Sequence, residues 1–218
     1  MKKAVSYILV AILGMAIGAS VLLIVFRTAD KQAVNTALGN ASPNTVVSSS
    51  SGTNIELYEI AIEAADCLKR GDYLSLANMV HPIYGVYFSP TATVNLKNNR
   101  CFDAASVASF GSDNNSYVWG NGGDGQKPIE MDVSSYISKY VYDYDYVSAS
   151  LVSFNAPAKT GNSLENVSES FPNGQYVDMC FPGTSENEYN DWHILRLVFE
   201  DYEGTLRLTA IIHSEYTI

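Results

Sequence analysis

The chain has 218 residues, 47% of them hydrophobic and 11% aromatic, with 15 Tyr; that is enough apolar material for one packed domain and an attachment, and too much for general disorder. Its 13 Lys and Arg face 23 Asp and Glu, a formal charge of -10. Residues 1–53 carry only Lys2, Lys3, Arg27 and Lys31 against Asp30, so residues 54–218 hold 9 basic and 22 acidic side chains, and a surface of that sign repels phosphate backbones and excludes nucleic acid as a partner.

Ala4 to Phe26 is an uncharged run of 23 residues whose only polar groups are Ser6, Tyr7 and Ser20. As a helix it would be about 35 Å long, enough for a hydrocarbon core of about 30 Å. A cleaved signal peptide has a shorter apolar region followed by a small-x-small site. Here Leu22-Leu23-Ile24-Val25-Phe26-Arg27 offers none, and Ala16-Ile17-Gly18-Ala19 lies in mid-run. Residues 1–27 are therefore predicted to be an uncleaved signal anchor that meets the membrane through residues 4–26. Lys2, Lys3 and the amino group precede the span, whereas Arg27 and Lys31 follow it, offset by Asp30; the bias puts the C-terminal domain on the extracytoplasmic side of the cell membrane. Residues 28–53, with Pro43 and Ser48-Ser49-Ser50-Ser51-Gly52, have no buried-face period and read as a flexible tether.

From residue 54 the chain reads as one domain. Asn54 caps a helix to about Arg70 with Ile60, Ala61, Ala64, Ala65 and Leu68 on one stripe, and Gly71 stops it. Asp72 starts a short helix with Leu74, Ala77 and Val80 inward, ended by His81-Pro82. Tyr84 to Phe88 alternates as a strand. Asp103 caps a short helix bearing Val107 and Phe110, Tyr117-Val118-Trp119 reads as a strand, and Asn121-Gly122-Gly123-Asp124-Gly125 as a loop. A helix follows around Val133 to Tyr140. Val147–Phe154 and Gln175–Phe181 are β-like. Trp192–Glu200 and Thr205–His213 form a hairpin across Asp201-Tyr202-Glu203-Gly204, the first of its strands apolar enough to be buried on both faces. Helices early and strands late predict an α+β domain, a curved antiparallel sheet with helices packed on one side.

The segment Ala64-Ala65-x-x-Leu68-Lys69-x-Gly71-Asp72-Tyr73-x-x-Leu76-Ala77-x-x-Val80-His81-Pro82 resembles the first helices of the nuclear transport factor 2-like superfamily, the α+β cone. The ending Leu197-Val198-Phe199-Glu200, then Gly204-x-Leu206-x-Leu208-x-Ala210-Ile211-Ile212-His213, is similar to that fold's last hairpin. More narrowly, five segments resemble a set of uncharacterised extracytoplasmic proteins of Gram-positive bacteria: Val80-His81-Pro82 with Gly85-Val86-x-Phe88-Ser89-Pro90, Trp119-Gly120, Tyr140-Val141-Tyr142-Asp143, Asp191-Trp192, and His213-Ser214-Glu215-Tyr216-Thr217-Ile218. The likeness covers about residues 57–218. It implies a cone domain and an envelope location but no activity, since that fold hosts enzymes, sensors and assembly modules.

The cone would place a pocket between the open mouth of the sheet and the helices. Its candidate lining residues are His81, Tyr84, Trp119, Tyr142, Asp143, Trp192, His213 and Glu215. His81 or His213 beside Asp143 or Glu215 could act as an acid–base pair or hold a polar ligand; the plainer reading, which gives His81 a helix cap and His213 a strand end, is preferred. Asp191-x-His193 and His213-x-Glu215 could each project two ligands to one face of a strand. Nothing in their spacing makes them meet, so no metal and no cofactor is predicted. Tyr140 to Tyr146 mixes aromatic and acidic groups in a way that suits a sugar or a cation, but a helix end leading into a strand explains it as well. Asp113, Asn121 and Asp124 lack the carboxylate density of a calcium loop. Of Cys67, Cys101 and Cys180, the last two could close a loop of 80 residues, but three structural thiols are the expectation. The sequence thus predicts a membrane-anchored, non-catalytic binding or assembly domain for a small molecule or protein partner. Its rivals are a hydrolase or isomerase with a His–carboxylate pair, and a structural homodimer joined through the sheet.

Overall fold

The computed structural model describes residues 51–122 and 127–216, so the expected membrane span, residues 28–50 of the expected tether and most of the glycine loop lie outside the described residues. Residues 51–53, expected in the tether, belong to the first helix. Helix α1 (Ser51–Arg70) buries Leu57, Ala61, Ala64, Ala65, Cys67 and Leu68; Ile60 is only half-buried. The helix closes with two bonds, Asp72 N–H to Cys67 O at 2.9 Å and Gly71 N–H to Leu68 O at 3.2 Å. That pattern needs a left-handed residue after the last turn, and Gly71 supplies it at φ +64°.

Helix α2 (Tyr73–Met79) begins where Asp72 accepts from Ser75 N–H at 3.1 Å. Leu76, Ala77, Met79 and Val80 face inward, but Leu74, expected among them, is 68% exposed. At about 100° per residue it falls roughly 140° round the helix from the centre of the buried stripe. After a turn at His81, strand β1 (Val86–Ser89) pairs with β2 (Arg100–Phe102), which the residue pattern did not reveal. Asp103 caps α3 (Ala104–Ala108) by accepting from Ser106 N–H, and Val107 and Phe110 are buried as expected. Strands β3 (Ser116–Asn121) and β4 (Pro128–Asp132) form a separate hairpin, and α4 spans Val133–Tyr140. The expected strand from Val147 shortens to β5 (Leu151–Phe154), because residues 146–148 make a turn of 3-10 helix. Then come α5 (Val167–Ser170), β6 (Gln175–Phe181), β7 (His193–Tyr202) and β8 (Thr205–Glu215). The β7–β8 turn puts Glu203 at φ +53° and Gly204 at φ +79°, the two-residue hairpin geometry that matches strand twist.

The large sheet runs β2-β1-β8-β7-β6-β5, antiparallel throughout except for the parallel β1–β8 pair. A bulge at Val198/Phe199 interrupts the β7–β8 register and bends the sheet. The result is an α+β fold, a large curved antiparallel sheet with helices. Its inner face (Val177, Met179, Leu195, Leu197, Phe199, Ile211) packs in one core with residues of α1–α4 and the β3–β4 hairpin. The opposite face is covered too, by Val94, Val167, Phe171, Trp192 and Ala158, so the sheet is not open on one side.

The three thiols are free. Cys101 lies on β2 and Cys180 on β6, four strand spacings apart in the sheet order. At about 4.8 Å per spacing that is roughly 19 Å, far beyond the roughly 7 Å limit for a bridged Cα pair.

Candidate functional site

His193 and His213 reach one place because β7 and β8 are paired in register. His193 stands opposite Glu215 and Leu195 opposite His213, and alternate residues share a face. All four therefore point to the inner face, at the end of the hairpin away from its turn. Asp143 arrives from another part of the chain. Helix α4 is seated by Tyr136, whose ring lies parallel on Trp119 with centroids 3.8 Å apart. After Tyr140 the helix unwinds, with Tyr142 N–H donating to Ile137 O at 2.7 Å, and the next residues lead Asp143 to the end of β7 and β8.

Asp143 Oδ2 is 2.8 Å from His193 Nδ1 and 3.3 Å from His213 Nε2. Its other oxygen accepts from the Tyr146 hydroxyl at 2.7 Å. Glu215 Oε2 stands 3.7 Å from His193 Nδ1. The 2.8 Å contact is short but misaligned: His193 Nδ1 has no hydrogen-bond partner, and neither has His213 Nδ1, both being buried. His213 is 1% exposed. Burial alone would raise the Asp143 carboxyl; the contacts with His193 and His213 and the Tyr146 donor outweigh it and hold the group well below the usual carboxylate range. Burial, and then the charge of Asp143, push the Tyr146 hydroxyl upward. Aromatic rings wall the cluster, Tyr144 with its centroid 4.2 Å from the His193 ring and Tyr140 edge-on to His213 at 5.9 Å. Beside it, Tyr140 and Glu215 line a cavity of about 80 Å³ together with Pro90, Ala92 and Ile129.

Of the sequence-derived candidates, Asp143, His213 and Glu215 come together, and the others do not join them. His81 Nδ1 accepts from the backbone N–H groups of Ile83 and Tyr84 at 3.2 and 3.0 Å. Its backbone partnership is thus as the plainer reading expects, in the turn before β1 rather than at a helix end. Tyr84 is exposed and stacks on that ring. Trp119 is a core residue whose Nε1–H donates to Met131 O at 2.9 Å. Tyr142 donates to Asp145 at 2.9 Å, and Trp192 packs with Cys180 and Ile194 on the other face of the sheet.

Of the two possible ligand pairs in the sequence, Asp191 turns away from His193. It accepts from the Thr184 N–H and hydroxyl and from Asn187, and those bonds pull its carboxyl down to about 2. Asp113 is likewise engaged, with Asn115 and Tyr117; Asp124 lies outside the described residues. The sequence offers His193 only as a partner of Asp191, and Tyr146 only as part of the aromatic and acidic segment; neither is among the candidate pocket residues. His193 stands immediately before the apolar run of β7, which opens at Ile194, and the Tyr140–Tyr146 segment carries the aromatic and acidic groups that wrap the cluster.

Three donor atoms from Asp143, His193 and His213 lie within 4.8 Å of one another. Two imidazoles and a carboxylate at that range can hold a cation or pass a proton. Compared with protein-family models, with curated proteins and with solved structures, the chain matches none.

Proposed function

We propose that this chain is a binding domain, tethered to the membrane and facing the extracytoplasmic side, whose ligand is a small polar or cationic species held at Asp143, His193 and His213. The observation that carries the site is their convergence from three separate stretches of chain beside a cavity of only about 80 Å³. The three donor atoms lie within 4.8 Å of one another, a spacing that suits an ion or a small fragment rather than the drug-sized molecules held in sites of about 300–1,000 Å³. The uncharged run Ala4–Phe26 and the lysines before it support the tether. The order of helices before sheet, and the residues resembling the α+β cone, support a nuclear transport factor 2-like fold. A dimer joined through the sheet has less to support it, since segments of the chain cover both faces of the described sheet.

Residues 52–218 form a compact unit by themselves, and native followed by denaturing mass spectrometry of that unit tests the reading. A non-covalent mass released on denaturation, and missing from Asp143→Asn, is the expected result; a clean apo dimer would overturn it in favour of assembly. The 3.3 Å Asp143–His213 contact favours a second reading, acid–base catalysis in a hydrolase or isomerase. Against it stands the burial of His213. Turnover of a small ester or amide that is lost in His213→Gln would establish it.

A further inference from the structure

The chemistry of the cluster identifies its ligand more closely, on the reading that Asp143, His193 and His213 are the binding site. We propose that they form a site for one divalent transition-metal ion of the zinc type, with the Glu215 carboxylate at its edge beside His193. Two imidazoles and a carboxylate are the donor set that such ions take, with a fourth position left to water or another carboxylate. Calcium and magnesium prefer all-oxygen shells, which two histidines do not provide.

The distances agree with the donor set. Ligand atoms about 2.0–2.1 Å from a tetrahedral ion lie roughly 3.4 Å from one another. The contacts here are 2.8 Å (His193–Asp143), 3.3 Å (His213–Asp143) and 3.7 Å (His193–Glu215). Those three contacts need shifts of only a few tenths of an ångström to reach that spacing, and all three donors of Asp143, His193 and His213 lie within 4.8 Å of one another. The misalignment of the shortest contact is an independent observation. His193 Nδ1 lies against a carboxylate oxygen without a hydrogen bond to it, and a buried nitrogen left in that state is costly unless something else takes its lone pair. A cation seated between Nδ1 and Oδ2 does so, and it also offsets the negative charge that Asp143 and Glu215 bring together.

The support around the donors is of the kind metal sites use. Tyr146, itself fully buried, donates to the far oxygen of Asp143 at 2.7 Å and so turns the near oxygen toward both histidines. The histidines stand on two strands locked by their ladder of hydrogen bonds, which fixes their separation.

The test uses the full-length chain without a tag, purified in mild detergent, stripped with a chelator and titrated with Zn²⁺ or Co²⁺. The expected result is saturation at one ion per chain, a rise in melting temperature with Zn²⁺, and visible Co²⁺ absorption of a low-coordinate site. In Asp143→Asn and His193→Gln the affinity should fall by at least the roughly 10–100-fold that loss of a mere supporting residue costs. The wholly buried His213 is left intact, so that misfolding does not imitate lost binding, and circular dichroism confirms that each variant is folded. No saturable binding by the folded wild-type chain, or unchanged affinity in both folded variants, would overturn the metal assignment. If Zn²⁺ fails to bind while another mass is released from wild type and lost in Asp143→Asn, the metal is wrong and the site reading stands. If that mass survives in both variants, both readings fall.

Discussion

Arg196 and His193 lie three residues apart on β7 and face opposite sides of the sheet, each with acidic partners, and the two settings follow opposite rules. On the outer side, Arg196 is 0% exposed and grips Asp178 with a two-pronged contact of 2.6 and 2.9 Å, while its remaining nitrogen reaches Glu165. Asp178 also accepts from Ala158 N–H at 3.0 Å, and the Tyr176 ring lies 4.8 Å from the guanidinium carbon. Every nitrogen of Arg196 and both oxygens of Asp178 are engaged. On the inner side, β7 and β8 each carry a histidine Nδ1, His193 and His213, that no hydrogen bond satisfies. Glu165 Oε1 is left without a hydrogen bond on the outer side, but the charged pair at the centre of the clamp is met on every side, whereas the inner cluster leaves two ring nitrogens unmet. The unsatisfied inner cluster therefore reads as a place for a ligand, and the outer one as a clamp between β6, β7 and the segment that contains Glu165.

The largest effect should come from breaking the clamp. Arg196→Ala leaves Asp178 buried and uncompensated, at a cost of about 3–5 kcal/mol. At roughly 2–4 °C per kcal/mol for a domain of this size, the melting temperature should drop by ~10 °C, as read by circular dichroism and checked by urea unfolding. A change near zero would mean that the network contributes nothing to stability. Replacing the whole set, with Arg196→Met, Asp178→Leu and Glu165→Gln together, sharpens the point. Removing all the charges restores most of what the single change loses if the clamp is purely structural, and zinc affinity should stay unchanged in that triple variant because the inner face is untouched.

Tyr146→Phe probes the inner face by a smaller step. It removes the hydroxyl that donates to Asp143 and nothing else. A buried hydrogen bond to a charged group is worth about 1.5–3 kcal/mol, so the domain should remain folded but melt several degrees lower. If Tyr146 positions the carboxylate for a ligand, zinc affinity should also fall by roughly 10–100-fold. A purely structural hydroxyl would lower stability alone. Isothermal titration beside a thermal melt separates the two outcomes.

How much of this was legible in the residues depends on range. Helix α4, strand β6 and the final hairpin are visible because period, caps and apolar runs are local signals. Strands β2 and β4 are not, since three to five residues with no clean alternation become strands only through a partner. Leu74 misled because a seven-residue helix offers too few positions to fix its buried stripe. Arg196 lies inside an apolar run whose neighbours predict a strand buried on both faces, and that burial was right; its partner Asp178 is 18 residues away in sequence, and no local pattern announces the pair. The site shows the same limit. His213 beside Asp143 was one of several pairings the sequence allowed, whereas His193 depended on β7 register and Tyr146 on the turn after α4, which the tertiary structure alone defines.

Acid exposes the smallest difference, between a carboxylate that holds a helix end and one that faces the cluster. Asp72, Asp103 and Asp132 each start a helix and each accept from the serine three residues on. The Ser75 backbone N–H lowers Asp72, the Ser106 hydroxyl chiefly lowers Asp103, and the Ser135 backbone N–H lowers Asp132. A carboxyl depressed in the folded state contributes stability that is fully present above its unfolded value of about 3.9 and lost as pH falls through the lower folded one. Burial lowers the His81 ring as well. Wild-type stability should therefore begin to fall below about pH 6.5, where the unfolded chain takes up that proton first, and fall further below about pH 5 as the carboxylates protonate. Asparagine caps a helix about as well as aspartate but does not titrate. The triple variant Asp72→Asn, Asp103→Asn and Asp132→Asn should thus melt near wild type at pH 7 and fall less steeply below pH 4, with measurements made in chelator. What slope remains belongs to groups such as Asp143 and Asp191, which are lowered by contacts of other kinds. An acid limb of unchanged steepness would assign its whole pH dependence to those groups and leave the caps with none.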